Sequence, residues 1–428
     1  MKGKFLIVLA ANMLSLAWQV EAQNYDTNGD YVQTFAGSGF SGHVDGVGQS
    51  TMFSWPSEII ADSQSNLFIW DSGNRLIRKI APDSTVTTFA GGGNQVTGVG
   101  TNVNFTQSGL FNSMAVDHND TIWMIGSGTP YLYKITSSAI ITRTNLTLSQ
   151  PYGICADSHG NIYISESSSD ASNGNRIYRY DTNGILSVFA GSGNPSYADG
   201  NGIFTAFYNP TALAADAADN IYVWDSGNGL IRKIDQNQNV TTFAGKYQNF
   251  SKTDGVSTNA AFRFISAMRF DSFGNLILAD NSCIRKISPT TNVVTMAGSF
   301  TQTGYADGAG NVALFNNFGG NNDSYGDPAN GVCISQGIIF VADSNNQRIR
   351  RITNNPTAQV VSAANLQLNT YPGLQIIGTV GRTYQIQTSP DLNSWSTRAT
   401  ILLNSSPYIW IDQNPVSGNK FYRAVLLP

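Results

Sequence analysis

A unit of about 50 residues that recurs along the chain limits the possible folds more than any other feature. One half of the unit is "NLFIWDSGNRLIRKI" at 66–80, which returns as "NIYVWDSGNGLIRKI" at 220–234. The other half is "VTTFAGGG" at 86–93, which returns as "VTTFAGK" at 240–246. Each unit holds four strand-sized apolar runs separated by turn residues. Four-stranded sheets that pack face to face around an axis form a β-propeller.

The number of copies indicates how the ring closes. The three inner strands occur six times, ending at 331–352, and the fourth strand occurs six times, starting at 31–35. The fourth strand therefore precedes its own blade in the chain, and the last blade takes its outer strand from Tyr31–Phe35. Such a join leaves no open sheet edge. A linear solenoid is the alternative, and the offset between the two ends argues against it. We predict an all-β, six-bladed β-propeller over residues 31–352.

Both ends of the chain differ from the repeats. Lys2 and Lys4, the apolar run 5–18 and the small residue Ala22 are typical of a signal peptide at 1–22, with an N-terminal anchor helix as the alternative. We expect a secreted, cell-surface or periplasmic protein without a membrane span in the mature chain. Residues 353–367 have the composition of a linker, and the alternating pattern of 368–428 predicts a small β-sandwich.

Composition excludes some functions. Charged residues make up 12% and the net charge is −4, so the basic field typical of nucleic-acid binding is absent and no such partner is expected. Cys155, Cys283 and Cys333 stand in apolar strand-like segments, which predicts buried small side chains. A bridge between Cys283 and Cys333 stays open.

Two polar patterns recur with the unit. Asp-Gly pairs are followed eight residues later by a Phe, and their acids are Asp45, Asp199, Asp254 and Asp307. One acid per loop is too few for calcium, which prefers six to eight oxygens. Calcium stays a possible cofactor, and no other cofactor or metal is expected. We predict that each Asp bonds its own turn amides and that the Phe anchors the loop in the core.

The second pattern pairs an acid at the end of one strand with an arginine in the next. The pairs are Asp71 with Arg78, Asp225 with Arg232, Asp280 with Arg285, and Asp343 with Arg350. Both members are lost together in the second and third copies, which have Gly126 with Tyr133 and Glu166 with Tyr178. This joint loss predicts a repeated ion pair, and an anion-binding ring of arginines is the alternative.

Two charges interrupt the inner strands, which should line a central channel. Glu58 and Arg269 stand where the other copies have small or apolar residues, and they are the candidate ligand-binding residues at the channel mouth. A lone acid there can bind a cation or act as a base. We expect instead a Glu58 that is exposed to water or paired with an arginine. The three histidines lie in turns or a loop and cannot form a zinc site.

The repeats resemble the NHL-repeat family of propellers. Pro56, Asp62, Asn66–Ile69 and Asp71–Arg75 carry the likeness, which covers about residues 31–352. Propellers of this family serve as protein binders, RNA binders or lyases, so the resemblance implies the fold and leaves these functions open. Gluconolactonase-like propellers place a metal-binding acid near the channel mouth, but this chain lacks their other Asn and Asp residues.

The C-terminal segment resembles a module of some secreted bacterial proteins, through Gly381–Tyr384, "TSPDLNSW" at 388–395 and Phe421–Arg423. No complete set of catalytic residues is visible in the sequence, so an enzyme is not the favoured hypothesis. The sequence favours a secreted propeller that binds or scaffolds protein or glycan through its loops. The alternatives are a gluconolactonase- or lyase-like hydrolase with one metal in the channel, and a structural surface-layer component.

Overall fold

The computed structural model describes residues 26, 29–105, 110–127, 131–167, 174–316, 331–354, 373–376, 379, 381–389, 393–403, 408–411 and 421–427. The predicted signal peptide at 1–22 and most of the predicted linker lie outside these residues. Within them, no helix is long and apolar enough to cross a membrane.

The described part of 30–354 forms six antiparallel sheets, which we number as blades in chain order. Blade one consists of β2 (Gly46–Val47), β3 (Pro56–Ala61), β4 (Leu67–Asp71), β5 (Leu76–Ile80) and β6 (Thr85–Ala90). Blade two consists of β7 (Gly98–Val99), β8 (Leu110–Val116), β9 (Ile122–Ser127), β10 (Tyr131–Ile135) and β11 (Ile140–Asn145). Blade three consists of β12 (Pro151–Ala156), β13 (Ile162–Glu166), β14 (Arg176–Tyr180) and β15 (Leu186–Ala190).

The other three blades follow the same order of strands. Blade four consists of β16 (Gly200–Asn201), β17 (Pro210–Ala215), β18 (Ile221–Asp225), β19 (Leu230–Ile234) and β20 (Asn239–Ala244). Blade five consists of β21 (Gly255–Val256), β22 (Ile265–Phe270), β23 (Leu276–Asp280), β24 (Cys283–Ile287) and β25 (Asn292–Gly298). Blade six combines β1 (Asp30–Ala36) with β26 (Gly308–Ala309), β27 (Val332–Ser335), β28 (Ile338–Asp343) and β29 (Arg348–Asn354). Short 3₁₀ turns occur at Gly48–Ser50, Gly100–Asn102, Gly202–Phe204, Ser257–Asn259 and Ser344–Asn346.

The N-terminal strand closes the ring, as the sequence predicts. β1 pairs antiparallel with β29, from Asp30 opposite Asn354 to Ala36 opposite Ile349. The innermost strands also contact one another in a cycle: β3, β8, β12, β17, β22, β27 and again β3. This arrangement confirms an all-β propeller with its outer N-terminal strand in the last blade.

The core lies between adjacent blades because their middle strands are apolar on both faces. All five residues of β4, Leu67–Asp71, are buried. One cluster joins Trp70 of blade one to Phe105, Met114 and Tyr133 at blade two. The three cysteines are free and buried in this core, so Cys283 and Cys333 are not bridged.

The strand order gives the propeller two different faces. The long loops between blades and the turns between second and third strands share one face, here called the loop face. The turns between first and second strands, such as 62–66, lie on the opposite face, here called the turn face. Each of the five long loops contributes a two-residue strand to the outer edge of the blade it enters: β2, β7, β16, β21 and β26. Blade three follows a short connection and has four strands.

The described residues near the C-terminus form two small antiparallel sheets. β30 (Gly373–Ile376) pairs with β33 (Tyr408–Ile411), and β31 (Thr383–Ser389) lies between β32 (Ser396–Leu402) and β34 (Phe421–Leu426). Ile386 and Leu403 are fully buried between these strands and their neighbours. The predicted sandwich stays a prediction.

Candidate functional site: blade networks and the central channel

Buried arginines hold the base of the loops between blades. Arg78 in β5 has no exposed surface, and its Nη1 lies 3.0 Å from the carboxylate of Asp71. Its Nη2 lies 2.5 Å from the carboxylate of Asp45 in the loop. The same guanidinium donates to the carbonyls of Met52 and Val44, which face each other at the base of the loop. One arginine therefore joins both predicted acid patterns.

Three other blades repeat this arrangement, here called the blade network. Its members are Arg232 with Asp225 and Asp199, Arg285 with Asp280 and Asp254, and Arg350 with Asp343 and Asp307. All four arginines and all four strand-end aspartates are fully buried. Each guanidinium thus has two carboxylates at short range, and a buried arginine requires such partners to be stable. The geometry favours a structural ion-pair network over an anion-binding ring.

Asp45 and Asp307 bond the backbone of the adjacent outer strand, whereas the sequence-based expectation placed these bonds within their own turns. Asp45 Oδ2 accepts the N–H of Thr88 in β6 at 3.1 Å, and Asp307 Oδ2 accepts the N–H of Thr34 in β1 at the same distance. The physical reason is the short strand after each acid. β2 pairs with β6 and brings Asp45 to the outer edge of the blade.

These carboxylates do not fit calcium. Each already faces a buried guanidinium within 2.8 Å, so a cation beside it would meet a like charge at short range. Across the part of the chain that the structure describes, no three His, Cys, Asp or Glu side chains come together.

The phenylalanine of each loop packs on the network. Phe53, Phe105, Phe207, Phe262 and Phe315 are at most 1% exposed. In blade one the Arg78 guanidinium lies 5.2 Å from the Phe53 ring centroid, within range of a cation–π contact. In blade two Tyr133 replaces the arginine and meets Phe105 edge-on at 5.9 Å. Two uncharged rings thus replace the network where its acids are missing.

Sequence reasoning missed the asparagine of the Asp-Ser-Gly-Asn turns. Asn74 Nδ2 donates to the Asp71 carboxylate and to the carbonyl of Gly42, so it ties the turn to the loop. Asn228 and Asn346 do the same in blades four and six. The recurrence of this asparagine beside the paired Asp and Arg was the available signal.

The inner strands enclose a cavity of about 200 Å³ at the centre of the ring. It is lined mainly by the last two residues of the six-residue inner strands and their equivalents, which places it in the half of the channel near the turn face. Its walls include Ile60, Ala115, Cys155, Ala214, Arg269 and Cys333. Arg269 is the one charged side chain among the described residues that line it.

Arg269 crosses the channel and meets Glu58. It extends from blade five, and its Nη2 donates to the carbonyl of Met114 in blade two at 3.1 Å. Its Nη1 donates to its own neighbour Met268 at 2.8 Å. Glu58 Oε2 lies 3.9 Å from Arg269 Nη2, which is too long for a hydrogen bond. Both predicted channel residues are thus brought together across the channel, Glu58 from blade one and Arg269 from blade five.

Glu58 is buried and not exposed to water, and the arginine expected as the alternative partner is present as Arg269, in a long ion pair of 3.9 Å. It is 6% exposed, and its Oε2 accepts no hydrogen bond from the described residues. Burial raises the pKa of Glu58 to about 8, against the smaller opposing effects of Arg269 and the backbone of Met114 and Ile59. Burial also raises the pKa of the Cys333 thiol to about 12 and that of Cys155 above its usual range. All three groups are therefore predominantly neutral at pH 7.

The sheets and their circular packing define a β-propeller built from sequence repeats. Residues 142–353 match the family model of the teneurin NHL domain. This match, together with the circular packing of the sheets, supports an NHL-repeat β-propeller family for the repeats.

One curated relative is similar to about half of this chain. Over 224 residues, 49% of this chain, the sequence is 27% identical to Protein SUPPRESSOR OF QUENCHING 1, chloroplastic, of Arabidopsis thaliana. The match spans 20% of that protein.

Two similar solved structures are auxiliary nutrient binding proteins from Bacteroides. The protein from Bacteroides thetaiotaomicron is 18% identical, with a TM-score of 0.56 and 76% of each chain covered. The one from Bacteroides ovatus is 17% identical, with a TM-score of 0.54 and 77% of each chain covered. At this identity the similarity establishes the fold.

Proposed function

We propose that this chain is a secreted NHL-repeat propeller that binds a protein or glycan ligand through its loop face. The observation that carries the proposal is an aromatic patch on blade four, formed by Tyr197 and Tyr247, with Phe250 three residues further along the second loop. The two tyrosine rings lie 5.1 Å apart, and all three side chains are 40–50% exposed. Rings that present an apolar face and a polar edge to solvent are typical of recognition surfaces.

The blade network holds the patch in place before any ligand binds. Tyr197 stands two residues before Asp199, and its ring lies 4.8 Å from the guanidinium of the buried Arg232. The second loop is fixed where the N–H of Gln248 donates to the carbonyl of Asn228 at 2.9 Å. A surface ordered in advance loses less entropy on binding. The two Bacteroides structures described as nutrient binding proteins support a binding role for this kind of fold.

Binding of the purified chain to panels of immobilised glycans and of cell-surface proteins tests the proposal. We expect that Tyr247→Ser combined with Phe250→Ser weakens saturable binding at least about tenfold, because aromatic anchors dominate such contacts. Phe273→Ser is the matched control, since Phe273 is 81% exposed but lies in a turn on the opposite face. Equal losses in both variants, or none in the double variant, would contradict the proposal.

Secretion is part of this proposal and rests on the N-terminal pattern of residues 1–22. Mass spectrometry of exported chain should find Gln23 as the first residue. An exported chain that still starts at Met1 would contradict cleavage at this site.

A hydrolase with one metal in the channel is the second candidate, and the unpartnered Glu58 Oε2 is the observation in its favour. The Arg269 guanidinium 3.9 Å away disfavours a cation at this carboxylate. Measurements of metal content and lactone turnover in the parent chain and in Glu58→Gln test this second candidate. A metal lost together with turnover in this variant would establish the hydrolase.

A further inference from the structure

The central cavity has features of a ligand site that the loop-face proposal does not use. It has a volume of about 200 Å³ and one guanidinium in its wall. Cavities lined only by apolar groups need no charged residue, and a buried charge is costly unless it is used or paired. The other copies of the repeat have apolar or thiol side chains where Arg269 stands, such as Ile60, Ala115 and Cys333. The fold itself therefore does not require an arginine at position 269.

The guanidinium has donors to spare. An arginine carries five N–H donors. Two of those of Arg269 are used by the carbonyls of Met114 and Met268, which also fix the side chain across the channel. Its acidic neighbour Glu58 lies beyond hydrogen-bond distance. The blade-network arginines differ, because each has two carboxylates within about 3 Å.

We propose that this cavity binds a small organic carboxylate, with the carboxylate on Arg269 and the apolar part against the ends of the inner strands. Arginine suits this ligand because its planar fork matches a carboxylate in two parallel hydrogen bonds. The surrounding wall supplies apolar contact through residues such as Ile60, Ala215 and Phe270. The site lies near the turn face, away from the aromatic patch on the loop face.

The cavity volume sets the size of the ligand. A water molecule takes about 30 Å³ in the liquid, so the cavity holds roughly six groups of that size. A straight four-carbon monocarboxylate has about as many non-hydrogen atoms and fits this volume.

The charges around the cavity favour an anion at neutral pH. Burial raises the pKa of Glu58 to about 8, so its carboxyl is largely protonated at pH 7 and leaves the charge of Arg269 uncompensated. Titratable groups near the pair include the thiols of Cys155 and Cys333, which burial keeps neutral, and the buried carboxyl of Asp157 beside Cys155. When Glu58 ionises at higher pH, it competes with the ligand for the same guanidinium.

Titration calorimetry with butanoate tests the proposal, with butanamide as the uncharged probe of the same shape. We expect saturable binding of butanoate at pH 6.5 and at least about tenfold weaker binding of butanamide, because only the anion satisfies Arg269. Arg269→Gln should reduce butanoate binding at least about tenfold. Ala215→Leu should reduce it as well, since it fills the cavity without changing any charge.

The pH dependence gives a readout that does not depend on a destabilised variant. Butanoate binding by the parent chain should weaken between pH 7 and 9, and in Glu58→Gln this decline should disappear. Butanoate that does not bind, binds no better than butanamide, or binds Arg269→Gln and Ala215→Leu as well as the parent would overturn the proposal. The panel binding of the loop-face proposal should be unchanged in Arg269→Gln, so failure of one proposal is distinguishable from failure of the other.

Discussion

The buried arginines of the blades and the arginine of the channel differ in the groups that compensate their positive charge. Arg232 in blade four has two carboxylates within 3.0 Å and two backbone carbonyls within 3.3 Å. Arg269 has two backbone carbonyls at similar distances, but its carboxylate neighbour is 3.9 Å away and largely protonated at pH 7. The blade arginines are therefore neutralised within the fold, whereas the charge of Arg269 stays available.

The difference separates structure from function within one chain. A repeated network in which each arginine has two carboxylate partners holds the loops and predicts a loss of stability when it is broken. A single arginine with spare donors predicts a loss of binding instead. Mutations of the two kinds of arginine should therefore change different measurements, and that contrast can be tested.

The largest expected effect is on the blade network. Arg232→Met leaves the fully buried Asp225 without its charge partner, which costs about 3–5 kcal/mol in the free energy of unfolding. Arg269→Met should cost clearly less, because no carboxylate is left at short range. Chemical denaturation at pH 7 followed by tryptophan fluorescence measures both. Equal losses would remove the distinction between the two arginines.

Blade two supplies a matched control for this prediction. It has Tyr133, Gly126 and Thr97 where the network has its arginine and two acids. Placing the same set in blade four, as Arg232→Tyr with Asp225→Gly and Asp199→Thr, removes all three charges together. We expect the triple variant to be more stable than Arg232→Met, because no uncompensated charge stays buried. A triple variant that is less stable would show that packing, and not charge, dominates the network.

The sequence predicts the propeller well and its networks less well. Strand order follows from local patterns such as Leu67–Asp71, and the N-terminal closure follows from the offset between the two ends of the repeat. The joint loss of Asp and Arg in blades two and three pointed to their contact. The third member, Asp45, was assigned to its own turn, because its partner lies 33 positions away and is brought near by β2 pairing with β6.

The channel was harder to predict for a geometric reason. The positions of Glu58 and Arg269 mark them as exceptions to the repeat, but their proximity depends on the ring. Arg269 reaches the carbonyl of Met114, 155 positions away, because blades five and two lie on opposite sides of the channel. Burial of Glu58 follows from the same closure, so no local pattern could give its protonation state.

A smaller effect should distinguish the loop acids from one another. The side chain of Asp254 in blade five is fully buried and accepts from both Nε and Nη2 of Arg285, whereas that of Asp199 in blade four is 46% exposed. Asp254→Asn should cost about 2–3 kcal/mol, and Asp199→Asn about 1 kcal/mol or less, because solvent screens the exposed pair.

Salt provides the check on this second prediction. The cost of Asp199→Asn should shrink as the salt concentration rises, while that of Asp254→Asn should change little. Denaturation midpoints at low and high salt measure both effects. Equal costs in the two variants would mean that the solvent exposure of the aspartate does not determine how much its ion pair contributes to stability.

The smallest expected effect at acidic pH is that of Glu58→Gln, and its pH dependence tests the channel side of the comparison. Burial raises the pKa of Glu58 from 4.5 to about 8, so the folded chain keeps a proton that the unfolded chain releases within this range. The contribution of Glu58 to stability is therefore complete below pH 4.5 and falls as the pH rises towards 8. Glu58→Gln should change stability by less than about 1 kcal/mol at pH 4.5 and should become relatively more stable as the pH rises.

Other acids with raised pKa values, such as Asp30, affect both proteins equally, so the difference between the two denaturation profiles isolates Glu58. Parallel profiles from pH 4.5 to 9 would mean that Glu58 is ionised and neutralises Arg269, and the two kinds of arginine would then no longer differ.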